Sequence, residues 1–349
     1  MLRSFASWLL LVVSVGAVSA QESVLQTYRV RQSTVLRDIP AGTQRVRWWI
    51  AIPQDDRYQE VTDFAVVAAP GVWSVAREAE HGNRFLYLDL AAPTASNLET
   101  VIDFTLRRRS VHVVIDPAKV GPITDSHRTL FAAELAPDAP HMAVTAQIRA
   151  IADAACGGET NVALQVSALI EHVARFADHY SKDATKPKCG IGAADDCLAH
   201  QGGCCTDLHS LFIALARARG IPARLQMGYR VQAKNAGKEV DPGYRCWAEY
   251  FVPGYGWVPT DIVEADAATD PARAQWLAGL TERRLWLNEG RELILNPRQD
   301  GPPVNTMIMG YAEIDGVPAR VLPQGDTLPQ LTRTIRCEDG ETVTLKAAR

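Results

Sequence analysis

The sequence predicts an α+β protein: a β-sandwich first, then a unit of helices followed by strands. Three observations carry that prediction. Residues 25 to 115 alternate apolar and polar side chains with period two, with no helical stretch between the runs. Helical periodicity begins only at about residue 128. From Gly202 onward one apolar-striped helix is followed by three strand patterns and their turns.

Residues 1–20 read as a secretory signal peptide. Arg3 is the charged start, Trp8 to Val15 is an almost continuous apolar run, and Val18-Ser19-Ala20 is a small-residue cleavage site. The apolar run is too short for a comfortable membrane span, and nothing later approaches the needed length. The expected mature chain starts near Gln21, is exported to the periplasm or the medium, and has no integral membrane span. Cleavage removes Arg3 alone among charged residues, so the formal charge moves from −4 to −5. That balance, and the lack of a basic-aromatic stripe, argue against nucleic acid as a partner.

Residues 21–116 form the expected N-terminal domain. Val46, Trp48, Ile50 and Ile52 share one face of a strand; Leu86, Leu88 and Leu90 repeat the pattern. So do Ile102, Phe104 and Leu106, then Val111, Val113 and Ile115. Turn signals such as Asp38-Ile39-Pro40-Ala41-Gly42 separate the runs, which is the pattern of a β-sandwich. A connector from Asp116 leads to a second unit, 128–349, with helical patterns over about 128–135, 142–155 and 161–176. A polar loop, 181–203, carries Cys189 and Cys197. Beyond Asp266 the sequence predicts a helix over 271–280, then short strands and turns ending in a strand from Thr342 to Leu345.

The centre of the second unit is Gly202-Gly203-Cys204-Cys205-Thr206-Asp207-Leu208-His209-Ser210 and its continuation to Gly220. Leu208, Leu211, Phe212, Leu215 and Ala218 fall on one face of a helix, and Gly220 and Pro222 stop it. Cys205 then sits at the helix start, where free N–H groups and the dipole favour an anion. Such a thiol is expected to ionise near neutral pH. Strands follow at Arg224 to Val231, Tyr244 to Val252 and Tyr255 to Asp261, the last two joined by Pro253-Gly254.

Cys-Thr-Asp-Leu-His-Ser-Leu-Phe at 205–212, Gly-Ile-Pro-Ala-Arg at 220–224, and Cys-Trp-Ala-Glu-Tyr-Phe-Val-Pro-Gly-Tyr-Gly-Trp-Val-Pro-Thr-Asp at 246–261 together resemble the core of the bacterial transglutaminase-like family. The resemblance covers about 160–266 and continues more loosely to Gly316. It implies a papain-like core of helices packed on an antiparallel sheet, with a C-terminal extension. It also implies a Cys, His, Asp triad, and an ancestral acyl transfer or hydrolysis on peptide or glutamine amides of a protein or peptide substrate. No cofactor or metal is implied. A β-sandwich also precedes the core in similar proteins.

Carried over by position, Cys205 matches the nucleophile and Asp261 the triad aspartate. The histidine belongs two residues before Trp247, where this sequence has Arg245. In such chemistry the thiolate attacks the carbonyl while an imidazole protonates the departing amine, then takes a proton from water or the incoming amine. Arginine stays charged and has no acceptor, so it cannot cycle. Losing that shuttle removes a factor of about 10²–10⁴ in rate. His209, one turn after Cys205, reads as a satisfied, partly buried residue; His200, in the preceding loop, is the candidate replacement base. Three functional readings follow. One is an exported acyltransferase or amidase with a relocated base. Another is an inactive relative that binds peptide or cell-envelope ligands. The third is a structural envelope protein in which Cys205 is disulfide-bonded.

Seven cysteines in an exported chain suggest one free nucleophile and six paired thiols, with at least one bridge among Cys189, Cys197 and Cys204.

Overall fold

The fold is described from a computed structural model over residues 23–345, apart from 138, 189–190, 241–243, 270–271 and 322–326. The signal peptide and Cys189 lie outside the described residues.

The first part of the chain contributes β1 (Ser23–Leu36), β2 (Arg45–Ala51), β3 (Gln59–Ala68), β4 (Trp73–Arg77), β5 (Arg84–Ala91), β6 (Leu98–Arg109) and β7 (Val111–His112). Helices α1 (Asp125–Leu130), α2 (Ala146–Cys156) and α3 (Val162–Phe176) follow. Next come β8 (Asp178–His179), α4 (Ala194–His200), β9 (Gly202–Gly203), α5 (Cys205–Ala218), β10 (Ala223–Arg230), β11 (Arg245–Val252) and β12 (Gly256–Thr260). The chain continues with α6 (Ile262–Ala267), α7 (Ala274–Leu277), β13 (Gly279–Leu280), β14 (Arg284–Glu289), β15 (Tyr311–Ile314), β16 (Val317–Pro318) and β17 (Leu331–Leu345).

The protein is α+β, with a sandwich and a helix-on-sheet unit. The sandwich sheets run in the order β17-β1-β6-β3 and β16-β15-β2-β5-β4. Period-two alternation turns Tyr28, Val30, Phe104 and Leu106 of the first sheet and Val46, Trp48, Ile50 and Leu88 of the second into one core. Both sheets recruit strands from the far end of the chain. β17 pairs along all of β1, from Ser23 opposite Leu345 to Leu36 opposite Leu331. The last strand is therefore far longer than the four residues the sequence suggests. Leu331, Arg333, Ile335 and Cys337 alternate inward along it. β15 lies beside β2, with Tyr311 opposite Trp49.

The sheet of the second unit is antiparallel, in the order β12-β11-β10-β14. Its helices begin close to where the sequence places them, because caps define them: Thr145 accepts from Ile148 N, and Asn161 accepts from Ala163 and Leu164 N. The expected helix over 128–135 splits into α1 and a 3₁₀ turn, and that over 271–280 shortens to α7. Helix α5 differs more. Every residue from Cys205 to Arg217 is buried, so it is a central helix rather than a surface one with an apolar stripe. Burying Leu208, Leu211, Phe212, Ile213 and Leu215 contributes about 1.5–3 kcal/mol each. The two units are joined through β14: Gln59 accepts from Trp286 N at 2.8 Å, and Asn83 accepts from Glu289 N at 2.7 Å.

Candidate active site

Cys205 opens α5, and what holds it there is local. Cys204 is the N-cap residue, and its N–H donates to the Asp207 carboxylate at 2.8 Å. Gly203 makes this approach feasible: a Cβ there would stand 2.5 Å from Asp207 Oδ2. Gly203 is itself fixed by the parallel pairing of β8 with β9, which sets it beside His179.

The Cys205 thiol faces a thiol. Its Sγ lies 3.3 Å from Cys246 Sγ, and Thr206 Oγ1 stands 3.2 Å from Cys246 Sγ and 2.9 Å from Tyr244 OH. Cys204 is the third cysteine of the group. The Cys204 and Cys246 thiols together with burial hold the Cys205 thiol well above the ordinary cysteine range. The direction is opposite to the one expected for a helix start, because the Cys204 and Cys246 thiols and burial all act against ionisation.

Alternation along β11 explains why Cys246 occupies this place. Cys246 touches α5, and Tyr250 meets Phe212 of the same helix. Trp247 and Glu249 point the other way, both onto Gln226 of β10. Arg245 opens β11 one residue before Cys246; its Nη1 donates to Tyr244 O at 3.0 Å, and its charge helps to lower the pKa of His179 beside the start of α5.

Asp261 follows β12 and is the N-cap of α6. Its Oδ1 accepts from Val263 and Glu264 N at 3.1 Å each. Its Oδ2 accepts from Arg284 Nη2 at 2.6 Å, and both side chains are almost wholly buried. The same Oδ1 lies 3.8 Å from His209 Nε2. His209 is fully committed to backbone. Nδ1 donates to Cys205 O at 2.6 Å, and Nε2 accepts from Ile262 N at 3.0 Å. Burial lowers its pKa, so the ring is neutral and fixed in one tautomer. His209 is thus a satisfied histidine, and wholly rather than partly buried. His200 ends α4 on the surface, with Nδ1 bound to Asp196 O at 2.9 Å.

His179 is a third imidazole near the helix start. Its Nδ1 accepts from Ser181 N at 3.2 Å, and burial keeps the ring neutral, so the proton sits on Nε2. In that state Nε2 can donate a hydrogen bond, while the Nδ1 lone pair is taken up by Ser181.

Cys246 and Arg284 are the site residues that sequence reasoning passes over. The inward alternation of Cys246 with Ala248 and Tyr250 was a usable signal for the first. Nothing in the sequence links Arg284 to Asp261. Among the described residues no cluster of three His, Cys, Asp or Glu is placed to hold a metal, and Cys156, Cys197, Cys204, Cys205, Cys246 and Cys337 form no disulfide, so the six paired thiols expected from the sequence are not seen.

Residues 149–262, which run from α2 to the start of α6, match the transglutaminase-like superfamily. The chain carries a transglutaminase-like core. An uncharacterized protein of Haemophilus influenzae is 27% identical over 313 residues, covering 80% of this chain and 84% of that one. The solved structure of a candidate cysteine protease from Cytophaga hutchinsonii superposes with a TM-score of 0.57 at 16% identity, covering 93% of this chain and 92% of that one. The likeness therefore extends beyond the transglutaminase-like core to the sandwich.

Proposed function

We propose that this chain is an exported transglutaminase-like protein, descended from thiol-dependent acyl transferases acting on peptide or glutamine amides, in which acyl transfer at Cys205 has been lost. The role that remains is that of a binding module for a peptide or cell-envelope ligand. The observation that carries the reading is the surroundings of Cys205: a second thiol at 3.3 Å, and a neighbouring imidazole, His209, whose two nitrogens are tied to backbone. Amide cleavage needs a group that gives and takes a proton at the leaving nitrogen. Arginine at 245 lacks that capacity, and so does Cys246, the described neighbour of the thiol. Export rests on the leader at 1–20 and accords with the described helices, none of which is long and apolar enough to cross a membrane.

The test is ammonia release from glutaminyl peptides, with and without a primary amine, by reduced wild-type protein and by Cys205→Ala. Equal rates are expected. Wild-type turnover that Cys205→Ala abolishes would restore the enzyme reading, and a base such as His200 would then have to be sought.

A further inference from the structure

The contact between Cys205 and Cys246 has a chemistry of its own. Both backbones are held firmly: Cys205 by the first turn of α5, and Cys246 by its ladder pairing with Met227 in the middle of the sheet. Their side chains point at each other across the helix–sheet interface, with the sulfurs 3.3 Å apart. A disulfide needs an S–S separation of about 2.05 Å, so a closure of roughly 1.2 Å suffices, within reach of small χ1 adjustments.

We propose that Cys205 and Cys246 form a reversible disulfide that withdraws the nucleophile-position thiol from reaction. The inference goes beyond the reading given above, because the bond can form whether or not Cys205 ever carries an acyl group. The oxidant is an external disulfide, either a small one or a protein one. Cys205, at the first turn of α5, reacts first. Its thiolate attacks one sulfur of the external disulfide and expels the first thiolate, leaving a mixed disulfide on Cys205. Cys246 then gives up its proton and attacks the Cys205 sulfur, expelling the second thiolate. Two electrons and two protons leave the protein, and the external disulfide becomes two thiols. Once formed, the bond lies beside Thr206, whose Oγ1 stands 3.2 Å from Cys246 Sγ and 2.9 Å from Tyr244 OH. An exported protein meets such oxidants constantly. A free thiol at this position would otherwise climb the irreversible oxidation ladder.

The experiment uses the full wild-type chain equilibrated with oxidised glutathione, then quenched, alkylated and digested with trypsin without reduction. The expected product joins the peptide 189–217 to the peptide 246–273, with fragment ions placing the bond between Cys205 and Cys246. Dithiothreitol should reverse it and raise iodoacetamide labelling of Cys205 by at least about tenfold. The bond should persist in Cys204→Ser, which removes a neighbouring thiol but neither partner. Finding Cys246 alkylated while Cys205 carries glutathione, or finding Cys246 joined to Cys204 instead, would overturn the proposal. Neither result depends on catalytic turnover, so the outcome is separate from that of the amide assay.

Discussion

Asp261 and Arg284, 23 residues apart in the chain, form a buried ion pair at 2.6 Å between the end of β12 and the start of β14. The aspartate of the candidate triad therefore already has a cation on one oxygen and two backbone donors on the other. Removing one member of such a pair strands a charge in the interior. Arg284→Met should lower unfolding stability by about 3–5 kcal/mol, and adding Asp261→Asn should recover part of that loss. Urea midpoints of the two single variants and the double variant give the coupling. Additive losses would mean that the pair contributes nothing as a pair.

Gly203 makes room for the carboxylate that caps α5. Gly203→Ala would drive a methyl group against Asp207, at a cost of about 1–3 kcal/mol. The helix start would move, and Cys205 with it. Thermal unfolding and the iodoacetamide rate at Cys205 should both change. If neither does, Asp207 has yielded and the cap does not position the thiol.

Much of this arrangement is legible in the sequence because it is local. The stripe from Leu208 to Ala218, the Pro253-Gly254 turn, and the alternation of Val46, Trp48 and Ile50 all report their elements directly. What is not legible depends on register between distant segments. The pairing of β17 with β1 joins the two ends of the chain. The Asp261–Arg284 pair depends on which strand follows β10 in the sheet, and a period cannot supply that. Helix α5 misleads for a related reason. Thr206, His209 and Ser210 read as its polar face, yet each is buried against a partner brought in by another element, and Asp207 is buried as the cap of the helix's own first turn.

Glu289 predicts a pH dependence. Burial pushes its pKa from 4.5 up to about 7, against the pull of Arg224 at 2.9 Å. A carboxyl whose pKa is raised on folding binds more protons in the folded state than in the unfolded one. Its contribution to stability is thus fully present below about pH 4.5 and is lost as pH rises through about 7. Glu289→Gln should flatten that part of the stability profile, read as unfolding midpoints across the same range. An unchanged slope would assign the dependence to another group, with Asp207, also raised to about 7, the next to test.

Cys246 also sets the reactivity of Cys205. In fully reduced protein, Cys246→Ala removes one of the thiols that raise the Cys205 pKa, so alkylation of Cys205 at neutral pH should quicken. Cys204→Ala should act in the same direction. Slower alkylation in either variant would show that the neighbouring thiols activate Cys205 instead of holding it neutral.

The claim that a missing proton shuttle silences this site is tested most directly by comparing two leaving groups. A nitrophenyl ester departs without protonation, whereas an anilide of the same acyl group needs a proton at nitrogen. With reduced protein, the Arg245→His variant should gain on the anilide by a factor on the order of 10², with little change on the ester. That gain should vanish when Cys205→Ala is added. Wild-type protein should leave the anilide untouched. Cleavage of the anilide by wild type, at a rate that Cys205→Ala abolishes and Arg245→His does not improve, would contradict the claim.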